Sequence, residues 1–280
     1  MASTSQIEQL NQYYHQVSQT IMCRQDSSTG LFPASTDVNG HGDYTDAWVR
    51  DNVYSIQAIW GLYLAFRKHL PEDERTQGLA DSTRNLMRGL LAAMIKQAPK
   101  VERFKLTQNP MDALHAKYST HSGDVVVDDD KWGHLQLDAT SLFLLMLAQM
   151  TQAGLRLVES EDEANFVQNL VWYIGRGYRT PDYGIWERGN KINNGRVEIN
   201  ASSVGMVKAA LQAIRGVNLF GPEGDQKGVI HVLADEIARC RTTLENLLPR
   251  ESASKEVDAA CLSVIGYPAF AVEKSELVAK

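Results

Sequence analysis

The residues best suited to chemistry stand together in Tyr183-Gly184-Ile185-Trp186-Glu187-Arg188-Gly189, within a stretch that runs from Asp182 to Ser203. Here a carboxylate is flanked by an indole and a guanidinium. A carboxyl group against an aromatic wall loses water, and desolvation raises its proton affinity toward what a general acid needs near neutral pH. Glu187 is therefore the candidate acid. The competing reading makes Trp186 a core anchor and Glu187-Arg188 a local ion pair, and seven residues do not decide between the two. Two further clusters bear on the choice: Tyr44, Trp48, Arg50 and Asp51 in one stretch, and Trp132, Gln136 and Asp138 in another. Indoles with fixed carboxylates, amides and guanidinium groups suit a sugar, because pyranose faces lie on aromatic planes and ring hydroxyls take paired polar partners. Each cluster also has an ordinary explanation. Arg50-Asp51 suits a helix-start ion pair, Trp132 a core plug, and Asp138 a first-turn carboxylate favoured by the helix dipole.

Helical periodicity supplies the elements that hold these clusters. Ile7, Leu10, Tyr14, Val17 and Ile21 form one apolar stripe, and Val49, Val53, Ile56, Trp60 and Leu64 a second, from about Ala47 to His69. A third helix carries Leu79, Leu86, Leu90 and Met94, with Pro99 beyond its end. The fourth, Gln136 to Ala153, is apolar nearly all round and is expected to be buried on most sides. Phe166, Val167, Leu170 and Ile174 mark the fifth, Val204 to Ile214 the sixth and Ile230 to Leu247 the seventh; an eighth begins near Glu256 and is cut short at Gly266-Tyr267-Pro268. Strand alternation is nearly absent, its best candidate being Asp124 to Asp128. The class is all-α. Connections into the second, fourth and sixth helices are long (about Gln25 to Tyr44, Ala98 to Leu135 and Thr180 to Ile199), while those into the third and fifth are short. In a stack of antiparallel helical hairpins the even-numbered starts share one end, which then collects the long loops and all three clusters.

Composition excludes several classes. A chain of 280 residues that is 44% hydrophobic buries a substantial core, as one large domain or two small ones. With 28 basic against 34 acidic residues, net −6, and no Lys/Arg run, nucleic acid is not expected as a partner. Cys23, Cys240 and Cys261 show no paired spacing, which fits reduced thiols in a cytoplasmic protein. Met1 to Gln12 holds no signal core, and Leu142 to Ala148 is too short to span a bilayer, so no transmembrane segment is expected. His115, His121 and His134 lack metal-ligand spacing, and neither metal nor cofactor is expected.

The same residues carry a resemblance. Tyr44-Thr45-Asp46-Ala47-Trp48-Val49-Arg50-Asp51-Asn52, Trp132-Gly133-His134-Leu135-Gln136-Leu137-Asp138 and Gly184-Ile185-Trp186-Glu187-Arg188-Gly189 resemble successive motifs of glycoside hydrolase family 15, the glucoamylase-like proteins. The runs Asp46 to Leu64, Leu86 to Ile95, Leu114 to Tyr118, Asp129 to Met150, Asn200 to Ala210 and Val229 to Glu236 resemble, more closely still, the N-terminal part of phosphorylase kinase α/β regulatory subunits. So does Ser254 to Ala259 with Tyr267 to Glu273. The resemblance implies an (α/α)6 toroid of helical hairpins whose inner helices begin at the site. It implies that Glu187 is the general acid, that Arg50 and Asp51 hold the terminal glucose of an α-glucan or maltooligosaccharide, and that Tyr44, Trp48, Trp132, Gln136, Asp138, Trp186 and Arg188 line the site. Hydrolysis in the family inverts the anomeric centre, so a base carboxylate is needed roughly 6.5 to 9.5 Å from the acid. The family supplies it late in the barrel, and eight helical patterns against a toroid's twelve make residues 1–280 an incomplete barrel, with open apolar inner-helix faces expected to self-associate. Within the key loop Glu198 is the one further carboxylate to weigh as base. Arg188 stands where secreted glucoamylases carry an acid, and Gly184 where they carry Asp. Two functions follow: an α-glucan-cleaving enzyme, or a regulatory subunit of glycogen metabolism that binds glucan, a kinase catalytic subunit and a calmodulin-like protein.

Overall fold

Helices make up nearly all the regular structure, as the apolar stripes require. The computed structural model describes residues 4–36, 38–39, 42–187 and 195–279. Its helices are α1 (Thr4–Thr20), α2 (Val49–His69), α3 (Glu74–Ile95), α4 (Ala98–Thr107), α5 (Leu137–Gln152), α6 (Glu161–Gly177), α7 (Ala201–Ile214), α8 (Ala234–Leu247) and two single turns, α9 (Leu262–Ile265) and α10 (Ser275–Val278). Strands among the described residues are two residues long: β1 (Val38–Asn39) pairs with β2 (Gly42–Asp43), and β3 (Ala47–Trp48) with β4 (Lys117–Tyr118), both antiparallel. The chain divides into two compact units, Met1–Ala93 with Lys117–Val126, and Met94–Ala116 with Val127–Lys280.

In the first unit α2 is the spine. Val53, Ile56, Ile59 and Phe66 follow one another at helical steps and are fully buried. Arg67, Lys68 and His69 close the helix where its dipole favours cations. Buried Asn52 pins the incoming chain to the start of α2: its Oδ1 accepts from Phe32 N (2.8 Å), and its Nδ2 donates to Phe32 O and Trp48 O (both 2.9 Å). Residues 29–31 cross α3 where two glycines leave room. A Cβ on Gly89 would stand 2.0 Å from Thr29 O, and one on Gly30, whose φ is +76°, would stand 2.4 Å from Asn85 O.

In the second unit every residue of α5 from Leu137 to Ala148 is buried, as its apolar circumference demands. Helix α5 packs against α6 and α7, α8 against α7, and α4 against α6. Segment 259–271 then lies across α7. Val264 is fully buried against Gly205, where a Cβ would come 2.5 Å from Val264 Cγ1. Lys208, 1% exposed, donates to Ala271 O (2.7 Å) and Glu273 Oε1 (2.8 Å). The apolar face of α7, which an incomplete barrel is expected to leave open, is thereby covered.

Four local expectations need correction. Pro99 lies beyond the end of α3, as expected, but the connection read from Ala98 opens with a helix the stripes did not show: Pro99 sits in the first turn of α4, where its missing N–H costs nothing and its fixed φ suits helix entry. The first ten residues of that connection, Ala98–Thr107, are therefore helical, and the rest is mostly loop. Residues 124–128 form one isolated bridge, Tyr118 to Val125, because Val125 and Val126 find no apolar cover. Helix α8 starts at Ala234, not Ile230, since Val229 and Ile230 pair back to 217–218. The eighth pattern yields a 3-10 turn (Ala259–Cys261) and the single turn α9.

Candidate functional site

In the second unit the loop carrying the candidate acid is tied to the starts of two helices by one buried carboxylate. Asp182, 1% exposed, accepts through Oδ1 from Gly184 N (3.1 Å) and Asn200 Nδ2 (2.7 Å). Its Oδ2 accepts from Ser203 Oγ (2.6 Å) in α7 and from Leu137 N (3.3 Å), the first amide of α5. Amides at helix starts carry partial positive charge and attract anions. Burial nevertheless pushes the Asp182 pKa up to about 7, with Ser203 and Asn200 pulling it down and the Asp138 carboxylate adding to the rise. The backbone joins in, since Asp182 N donates to Glu198 O (2.8 Å) and Glu198 N to Asp182 O (3.1 Å).

From this anchor the chain enters a 3-10 turn, Ile185–Glu187. Gly184 takes φ +69°, and Trp186 takes φ +61° and ψ +26°, the left-handed region that a bulky residue rarely occupies. Trp186 is 45% exposed. Strain of this kind persists where the surroundings over-determine it, and here it presents an indole to solvent. The Glu187 side chain and all of Arg188 lie outside the described residues.

The Trp132–Asp138 cluster is locked to the same loop. Gly133 lies so close to Tyr183 that a Cβ would come 2.6 Å from the ring, and Tyr183 N donates to Leu135 O (3.1 Å). Gln136 stands at the N-cap of α5 with its Nε2 donating to Gly133 O (2.9 Å), and Asp138 lies in the helix's first turn; both are buried, while Trp132 is half-buried. Behind them His115 and His134 stack at 3.5 Å between ring centroids and 7° between planes. His134 Nε2 donates to Asp128 O (3.0 Å), and His115 Nε2 meets Asp129 Oδ1 (2.7 Å), which also pairs with Lys100 (2.7 Å). Burial lowers the pKa of both histidines, that of His134 to about 4.

Two further carboxylates near this loop, Glu198 and Glu251, hold structure. Glu198, weighed as base, accepts from Ser252 Oγ (2.9 Å), Ser254 Oγ (2.6 Å) and Ser254 N (2.9 Å) and faces Lys255 (3.5 Å). Though burial works against ionisation, the Ser254 and Ser252 contacts hold its pKa below normal, the reverse of what a base requires. Glu251 caps α7, taking Ser202 N (3.0 Å) and Ser202 Oγ (2.5 Å).

In the first unit, β3 presents the other cluster. Trp48 is buried, with Lys117 Nζ 5.5 Å from its ring centroid and Lys117 paired to Asp46 (2.8 Å). Arg50 is buried in the first turn of α2, whereas Asp51 and Tyr44 are exposed. Thr120 Oγ1 donates to Thr45 O (2.6 Å), holding this entry loop against the segment that follows β4.

A family model described as "Glycosyl hydrolases family 15" matches residues 8–256. The chain belongs to glycosyl hydrolase family 15. Among curated relatives of this family-15 chain, the phosphorylase b kinase regulatory subunit alpha, skeletal muscle isoform, of Oryctolagus cuniculus is 58% identical over 272 residues, 96% of this chain and 22% of the relative. The probable phosphorylase b kinase regulatory subunit alpha of Drosophila melanogaster is 55% identical, over 96% of this chain and 21% of the relative. The family-15 chain thus spans about a fifth of the length of these relatives. Among solved structures, glucoamylase from Saccharomycopsis fibuligera aligns with a TM-score of 0.50 and 15% identity, over 79% of this chain and 43% of the other. That likeness gives the fold, the all-α (α/α)6 class. Sequence reasoning missed Asp182 as the anchor of the loop. Its signal was local: an aspartate two residues before a glycine makes the Asx turn seen at Gly184 N.

Proposed function

We propose that this chain is the glucan-recognising family-15 domain of a phosphorylase-kinase α-type regulatory protein, acting in the cytoplasm on the non-reducing ends of α-glucans. The observation that carries the site is Trp186, an indole held exposed in a left-handed turn next to the acid position. A pyranose face stacks on such a plane, and a bulky residue held in the left-handed region is the kind of strain that functional sites retain. The identity to regulatory alpha subunits supports the regulatory reading and, with it, a kinase catalytic subunit as partner. A calmodulin-like protein is the further partner that the resemblance implies. The three described cysteines are free thiols, which supports a reducing compartment.

Inverting hydrolysis is the second reading, favoured by the intact Trp186-Glu187 pair. Glu198 does not serve it as base, because its oxygens are taken by Ser252, Ser254 and Lys255. Calorimetry with maltoheptaose, followed by an assay for released glucose, separates the readings. The regulatory reading expects saturable binding, at least about tenfold weaker in Trp186→Ala, and no glucose. Glucose release abolished in Glu187→Gln would instead establish hydrolysis. Absence of binding would end both.

A further inference from the structure

Far along α7 from the acid loop, a second polar cluster faces solvent. The last turn of α7 and the first half of α8 enclose an open groove of about 370 Å³ lined by Gln212, Arg215, Ala234, Ile237, Ala238 and Arg241. Gln212 is eleven residues past Ala201, roughly 16 Å along the helix axis. At one edge stands Glu273, from the segment that crosses α7. Its Oε1 alone accepts from buried Lys208 (2.8 Å), Arg241 Nη2 (3.0 Å) and Gln212 Nε2 (3.3 Å). Lys208 holds the Glu273 pKa down to about 2, so this carboxylate is ionised under all ordinary conditions.

One carboxylate does not use up the donors gathered there. Arg241 pairs with Glu273 through Nη2 alone while its side chain stays 42% exposed, and the exposed Arg215 side chain makes no hydrogen bond or ion pair among the described residues. Lys274, alongside, is neutralised by Glu245 (2.7 Å). Two guanidinium forks and an amide therefore converge on one groove, with one internal anion touching its rim. Planar guanidinium groups match tetrahedral oxyanions by paired hydrogen bonds, and a phosphomonoester brings three acceptor oxygens and up to about two charges.

We propose that this groove is a phosphomonoester site, built from Arg215, Arg241 and Gln212, in which Glu273 acts as a resident competing carboxylate. The phosphoryl group lies between the two guanidinium groups, and Glu273 limits affinity by repelling it and by holding Arg241 and Gln212. Removing the Glu273 charge while keeping its shape releases those donors. The site stands independently of the glucan reading, since it shares no residue with the Trp186 loop.

Calorimetric titration of this chain with inorganic phosphate, O-phosphoserine and a hexose 6-phosphate tests the proposal. The wild type is expected to bind at least one probe saturably, Glu273→Gln to bind it about tenfold tighter, and Arg215→Gln and Arg241→Gln about tenfold weaker. O-phosphoserine ahead of the hexose phosphate identifies a phosphorylated side chain as the source; the reverse order identifies a sugar phosphate. Arg215 is exposed and unpaired, so Arg215→Gln keeps the fold and reports on binding alone. No saturable binding in either the wild type or Glu273→Gln overturns the proposal. So does binding that Arg215→Gln leaves unchanged.

Discussion

Asp182 faces two opposed demands: four donors favour its charged form, and complete burial favours the neutral one. With its pKa raised from 3.8 to about 7, the folded chain keeps a proton that the unfolded chain has released. Its contribution is therefore full below the unfolded pKa and is lost as pH rises through the folded one. Asp182→Asn removes that dependence, so its melting temperature should compare better with the wild type at about pH 8 than at about pH 5. A difference that does not move with pH would assign the titration elsewhere. Trp186 tests the link between strain and use. Trp186→Gly relieves a left-handed conformation that costs a bulky residue on the order of 1 kcal/mol, so the variant should melt no lower than wild type while losing maltoheptaose binding. Loss of stability instead would make the indole a packing residue. The sequence showed Trp186 and Glu187 through their chemistry, but hid the role of Asp182. Its partners Leu137 and Ser203 lie 45 and 21 residues away, beyond any local pattern.

Elements declared themselves where periodicity was long. Helices α2, α5 and α6 follow their stripes closely, because burial of a continuous face fixes both register and extent. Helix α4 escaped notice for a specific reason: proline both ends one helix and opens the next, and residues 98–107 are too polar for a strong stripe. Pro99→Ala should therefore change stability by less than about 1 kcal/mol, as expected at a first-turn position; a loss near 3 kcal/mol would contradict the placement. Gly89 is the opposite case. Gly89→Ala places a methyl group against Thr29 O, so urea unfolding should show a loss of about 2 kcal/mol or more despite alanine's better helix propensity. A gain would mean that the 29–31 loop yields freely.

At the scale of the whole molecule two titrations pull against each other. His134 is held neutral, its pKa lowered from 6.5 to about 4, so the unfolded chain binds a proton that the folded chain refuses. Stability supplied by that site is present above the unfolded pKa and is lost as pH falls toward about 4, while the Asp182 contribution changes in the opposite sense. His134→Gln should flatten the acid limb of a melting profile and leave the alkaline limb alone. No helix among the described residues is long and apolar enough to cross a membrane. Segment 257–270, having covered α7, leaves Val257, Leu262, Tyr267 and Phe270 exposed on its outer side. Sedimentation should accordingly show concentration-dependent association that Leu262→Ser with Phe270→Ser reduces. The lock between Gly133 and the Tyr183 ring has a consequence of its own. With no slack between the two loops, whatever settles on the indole is transmitted as stiffness to the helix starts. A sugar that never touches α5 or α7 would then be audible there as slowed amide exchange at Leu137 and Ser202.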